Sequence, residues 1–152
     1  MKSSALLIAL MLCAAPTTAT EPPIDVSMTD GVAPTSSKDA VKTLRLTPGF
    51  HAELVASEPL IESPVAIAFG PDNKLWVAEM CDYPQGDSSD GGRVKCLYDD
   101  DGDGRYDRSE VFLTGLPLPT GVTAWRNGVL ICAAPDILYA EDTNGDGKAD
   151  KV

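Results

Sequence analysis

Asp99-Asp100-Asp101-Gly102-Asp103-Gly104-Arg105-Tyr106-Asp107 recurs 43 residues downstream as Asp142-Thr143-Asn144-Gly145-Asp146-Gly147-Lys148-Ala149-Asp150. Both copies put oxygen-bearing side chains at positions 1, 3, 5 and 9 and glycines at positions 4 and 6. Carboxylates this crowded repel one another unless a cation sits among them. The glycines permit the tight turns that aim several oxygens at one point. An all-oxygen set of flexible geometry suits calcium. The expected ligands are Asp99, Asp101, Asp103, Asp107 and the backbone carbonyl of Arg105, with Glu110 at position 12. In the second copy they are Asp142, Asn144, Asp146, Asp150 and the carbonyl of Lys148. A solvated acidic turn without an ion is the alternative.

The sequence around the loops reads as short strands. Apolar, β-rich runs cover His51 to Ser57, Val65 to Phe69, Leu75 to Glu79, Arg93 to Tyr98, Glu110 to Leu113, Val122 to Trp125, Val129 to Ala133 and Ile137 to Tyr139. Gly-, Pro-, Asn- and Asp-rich turns separate them, as in antiparallel hairpins. No segment carries a helical stripe, so the class is all-β and the acidic loops are hairpin loops rather than EF-hands, which need flanking helices.

A second match aligns Leu75 to Asp82 with Val129 to Asp136 at an offset of 54, the difference being a long loop, Tyr83 to Gly92, in the first copy. Four-stranded units recurring at such spacing predict propeller blades. On this reading 44–152 is an N-terminal fragment of a β-propeller, about one and a half blades long. Blade one covers about 65–114 and blade two begins near 120. Its partners would be the remaining blades of a longer chain. A small complete sandwich is the competing architecture.

Ahead of these strands, Met1 to Ala19 has one basic residue, Lys2, an apolar run from Ala5 to Ala15, and small residues at Thr17 to Ala19. This is the pattern of a cleaved signal peptide, and the run is too short to span a bilayer. It predicts a periplasmic or secreted protein with no transmembrane span beyond the signal. Residues 20–43 are rich in Pro, Ser, Thr and Asp and read as a disordered leader. The net charge of −11 disfavours nucleic acid as a partner. Three cysteines, Cys81, Cys96 and Cys132, lie outside the signal. In an oxidising compartment a Cys81–Cys96 bridge is plausible; three buried thiols are the alternative. No CxxC spacing supports zinc.

The runs FHAELVASEPLIESPVAIAFGPDNKLWVAEMCDYP (50–84), GGRVKCLYDDDGDGRYDRSEVFLTGLPLPTGV (91–122) and GVLICAAPDILYAEDTNGDGKAD (128–150) resemble the N-terminal propeller of planctomycete-type membrane-bound dehydrogenase-like proteins. Cys81 stands where that family's EMRDYP motif has arginine. The resemblance implies kinship with soluble quinoprotein sugar dehydrogenases, and a fused cytochrome c domain. It implies oxidation of a sugar or alcohol, with pyrroloquinoline quinone and haem c as cofactors of the full-length protein. Glu79, Asp82 and Tyr83, at a predicted strand end and in the longest loop, and Asp136, their counterpart one unit later, are the weak catalytic candidates it suggests. Ordinary loop polarity and capping are the favoured account of them. His51, the single histidine, is not assigned catalysis. A second functional reading needs no chemistry: a calcium-stiffened propeller that binds a glycan or a protein.

Overall fold

A computed structural model describes residues 34–71, 73–83 and 91–152. The expected signal peptide (1–19), leader residues 20–33 and most of the long loop (84–90) lie outside the described residues. Among the described residues, seven strands build two antiparallel sheets. The first contains β1 (Pro64–Phe69), β2 (Leu75–Met80), β3 (Gly92–Tyr98) and β4 (Arg108–Leu116), in that order. The second contains β5 (Pro119–Trp125), β6 (Gly128–Ala133) and β7 (Asp136–Glu141).

Period-two alternation sorts the side chains of the first sheet onto two buried faces. Ala78, Val94, Phe112 and Leu116 point toward the second sheet and meet Val122, Val129, Ile131, Ala133 and Ala140. Trp76 and Phe112 meet edge to face within this layer, ring centroids 4.8 Å apart. The opposite face carries Leu75, Val77 and Leu97, packed under Ala56 and Ile61. Each buried Val, Leu, Ile or Phe among them contributes about 1.5–3 kcal/mol by leaving water.

This packing corrects the propeller expectation. A propeller blade buries its apolar residues only against neighbouring blades. Here one face of the first sheet is closed by the second sheet and the other by the chain leading into β1. The architecture is two small open sheets, not curled or closed into a ring, and nothing among the described residues calls for further blades as partners.

Two local expectations also change. His51 to Ser57 forms no strand; it belongs to a strap, 51–63, laid across the first sheet. The described part of the expected leader contains a helix, α1 (Ser37–Thr43). Ser36 caps it by accepting from the Asp39 N–H at 3.2 Å, and Asp39 sits in the first turn, where the helix dipole favours an anion. Seven residues with none buried leave no periodic stripe to read in the sequence.

The cysteine alternatives are decided by register. Cys96 pairs with Trp76, whereas Cys81 lies five residues further along, opposite Gly91. At about 3.3 Å per residue the two are far beyond disulfide reach, and none of the three cysteines forms a disulfide. Only Cys96 is buried. Among the described residues no helix is long and apolar enough to cross a membrane.

Candidate metal centre

The first acidic loop connects β3 to β4 and the second follows β7, so strands rather than helices present both. Asp99 accepts the Gly102 N–H on Oδ1 (2.7 Å) and the Gly104 N–H on Oδ2 (3.0 Å). Asp101 accepts from the Asp103 N–H (3.1 Å), Asp103 from the Arg105 N–H (2.8 Å), and Asp107 from the Asp100 N–H (2.9 Å). Each bond recurs 43 residues on. Asp142 accepts from Gly145 (2.6 Å) and Gly147 (2.8 Å), Asn144 from Asp146 (2.9 Å), Asp146 from Lys148 (2.9 Å), and Asp150 from Thr143 (3.1 Å). Gly102, Gly104, Gly145 and Gly147 have φ of 77°, 86°, 84° and 84°. That left-handed backbone is the reason for glycine at these positions.

These bonds bring Asp99, Asp101 and Asp107 together, with one ligand oxygen of each within 4.8 Å of the others. Oxygens bound to one ion at 2.3–2.6 Å lie no further apart than about twice that distance, so the three fit a single calcium. Their counterparts are Asp142, Asn144 and Asp150, a set with one neutral amide. The Gly147 N–H, against the opposing effect of desolvation and helped by the Gly145 N–H, holds the Asp142 carboxyl below its ordinary pKa. Charged Asp142 is therefore the form this backbone prefers.

Asp103 and Glu110 lie outside this three-carboxylate group. Asp103 stands apart from the three-carboxylate group and lines an open hollow of about 690 Å³ with Lys38 and Lys42 of α1 and with Arg105. Glu110, expected at position 12, holds other partners. Its Oε1 accepts from Arg108 (2.7 Å) and its Oε2 from the Tyr98 hydroxyl (3.3 Å). The same Oε2 abuts the second loop: a Cβ on Gly147 would come within 2.4 Å of it. Arg108 also binds Asp100 (2.8 Å) and stacks on the Tyr98 ring at 3.7 Å. The Asp100 hydrogen bond, aided by the nearby Asp100 and Glu110 charges, raises its guanidinium pKa against the opposing effect of desolvation. The second loop is tied to β4 by the Ala149 N–H donating to the Phe112 carbonyl (2.8 Å), and the first to the strap by the Tyr106 N–H donating to Val55 (2.9 Å).

The four weak catalytic candidates are dispersed. Glu79 is fully buried on the strap face of β2, where it accepts from the Glu62 N–H (2.6 Å) and from Arg93 Nε, with Lys95 Nζ 3.4 Å away. Burial of Arg93 opposes its charge, yet the bonds to Glu79 and Glu62 hold its pKa above the ordinary value. Lys95 donates to the Leu60 carbonyl (3.1 Å). Glu79 thus clamps the strap to the sheet. Tyr83 sits exposed on the rim of a shallow hollow of about 480 Å³ with Ser63, Pro64, Val65, Met80 and Thr120. Asp82 packs its side chain onto the Cα of Gly91, and Asp136 opens β7 in the other sheet. Sequence reasoning missed the partners Arg93 and Lys95. Their signal was two cations at alternate positions of a strand, hence on one face.

Comparison with known families gives one result: the model for a family described as Domain of unknown function (DUF7133) matches residues 36–152. That is most of the chain, and the protein belongs to this family. No curated protein and no solved structure matches it. These findings overturn the resemblance to membrane-bound dehydrogenase-like proteins, since neither the family nor the two-sheet architecture carries quinoprotein features. Sugar or alcohol oxidation with electron transfer to a cytochrome falls with it, as does the non-catalytic propeller reading. The quinone and haem expectations rested on that resemblance alone.

Proposed function

We propose that this member of the family is an exported β domain whose two acidic loops each bind a structural calcium ion. One ion staples the β3–β4 hairpin, and the other fixes the segment after β7 against β4. The observation that carries the reading is the point-for-point recurrence, 43 residues apart, of five equivalent carboxylate- or amide-to-backbone hydrogen bonds. An ion used for chemistry has no reason to be duplicated, whereas a staple does. Export to the periplasm or beyond is supported by the Met1 to Ala19 pattern, and millimolar extracellular calcium suits a weak site.

A dissociation constant of about 10⁻⁴–10⁻³ M is the range of extracellular modules. At 10 mM calcium each loop then adds roughly 1.4–2.7 kcal/mol of stability through mass action. Thermal unfolding in calcium and in chelator measures this directly. Asp99→Asn and Asp142→Asn should each remove one ion from the stoichiometry found by calorimetry. An unfolding midpoint indifferent to chelator would refute the proposal, and so would equal stabilisation by magnesium, which prefers a tighter octahedral shell.

A further inference from the structure

The two acidic loops meet across β4. On the side of the first loop, the Asp100 N–H donates to Asp107 Oδ2 (2.9 Å), and the Asp100 carboxyl in turn accepts from Arg108 Nε (2.8 Å). The same guanidinium lies over the Tyr98 ring at 3.7 Å and donates through Nη1 to Glu110 Oε1 (2.7 Å). On the side of the second loop, Glu110 Oε2 accepts the Tyr98 hydroxyl (3.3 Å) and lies against the backbone of Gly147. The Gly147 N–H donates to Asp142 Oδ2 (2.8 Å). Two residues on, the Ala149 N–H donates to the Phe112 carbonyl of β4 (2.8 Å). An unbroken line of contacts thus runs from Asp107, a proposed ligand of loop one, to Asp142, a proposed ligand of loop two. Gly104 holds the place in loop one that Gly147 holds in loop two, and a Cβ on it would meet nothing within 4 Å. The contact with Glu110 is therefore particular to the second loop and is not a by-product of the repeat.

Arg108 is the one cation in this line, and Asp100 and Glu110 share it. Without an ion, the carboxylates of Asp99, Asp101 and Asp107, whose ligand oxygens lie within 4.8 Å of one another, repel and favour a looser loop. Loosening shifts Asp107, and with it Asp100, which draws Arg108 away from Glu110. A Glu110 carboxylate without its guanidinium is no longer fixed beside Gly147, the residue whose N–H orients Asp142. An ion in the first loop reverses each step. The loop tightens, Arg108 bridges both acids, and the seat of loop two on β4 is ordered before a second ion arrives, so that ion meets a smaller ordering cost. Direct repulsion between the two ions acts in the opposite sense, and salt screens it. We propose that the two loops bind calcium with positive cooperativity relayed by Arg108 and Glu110, so that the domain fills over a narrower range of calcium than two independent sites would give. This inference rests on calcium occupying both loops. Linkage makes the coupling reciprocal: what loop one does for loop two, loop two does for loop one.

Calorimetric titration of the full chain with calcium tests this. Asp99→Asn leaves loop two as the working site and Asp142→Asn leaves loop one, and each variant gives a single association constant. In the unsubstituted chain the product of the two constants should exceed the product of those single-site values by about fivefold, the low end of couplings between sites, because the relay is solvent-exposed. Arg108→Lys keeps the charge but cannot fork between two carboxylates. In that background the same ratio should fall to about one. An unsubstituted chain that takes up no calcium would overturn the inference and the staple reading together. Two bound ions with a ratio near one would overturn the inference alone and leave the staples standing, as would a ratio below one, the mark of repulsion between the ions. A ratio undiminished by Arg108→Lys would overturn the relay. Should either asparagine variant fail to fold, the steepness of the titration decides instead. The Hill coefficient should be lower in Arg108→Lys than in the unsubstituted chain, and equal values would refute the proposal.

Discussion

Glu79→Gln tests how the strap is held. The substitution keeps the size of the side chain and an acceptor for the Glu62 N–H, and removes only the charge. It leaves Lys95, whose side chain is 8% exposed, with the Leu60 carbonyl as its remaining partner. Arg93 fares better, being 25% exposed and keeping Glu62 Oε2 at 3.0 Å. Removing one partner of a buried pair costs about 3–5 kcal/mol, because the other charge stays buried and uncompensated. Since Arg93 retains both water and a carboxylate, the lower end applies, about 3 kcal/mol. Urea unfolding at neutral pH and constant calcium reads this as a fall in midpoint without a change in slope. Adding Lys95→Met to Glu79→Gln should recover part of the loss, since the stranded cation is then gone. A loss below about 1 kcal/mol, the range of exposed ion pairs, would refute the claim that Glu79 anchors the strap.

The two loops should respond differently to the same small change. Gly104→Ala and Gly147→Ala both force a side chain into left-handed backbone, worth about 1–2 kcal/mol each. The Gly147 substitution should cost more, because its Cβ must displace the Glu110 carboxylate from Tyr98 whereas Gly104 faces open space; equal losses in unfolding experiments would contradict the docking of loop two on β4. Thiol alkylation followed by mass mapping should modify Cys81 and Cys132 in the folded chain and Cys96 only after unfolding. Burial, more than any neighbouring charge, raises the Cys81 pKa. The thiolate is the reactive form, so its alkylation rate should still be climbing as pH passes the ordinary value of 9.0. A plateau below that pH, or a Cys81–Cys96 disulfide, would contradict the geometry.

Much of the local structure was legible because it is encoded locally. The turn residues and alternating apolar runs locate all seven strands, and the loop repeat locates both acidic hairpins. How the units combine was not, because a repeat of two units states only that each has an apolar face to cover. Nothing in the Val65 to Leu113 sequence announces that the strap through Ala56 and Ile61 will cover one side. The strap's burial pattern has no period, and its composition alone resembles that of a strand. Once that face is closed, the second sheet suffices for the other, and the physical demand for a ring disappears.

The same limit applies within the site. Spacing alone placed Glu110 as a twelfth-position ligand, and spacing is sufficient only where the backbone after the loop curls back as a helix. Here the chain leaves the first loop as β4, and an extended strand carries position 12 about 3.3 Å further along for every residue. Glu110 reaches Tyr98, Arg108 and the backbone of Gly147. Asp99, Asp101 and Asp107 converge regardless, because glycine turns and side-chain-to-backbone bonds within nine residues decide their positions. The reach of sequence reasoning at this centre is thus the reach of its local hydrogen bonds. A residue held by a neighbouring strand, such as Glu110, needs the sheet pairing before its role can be assigned.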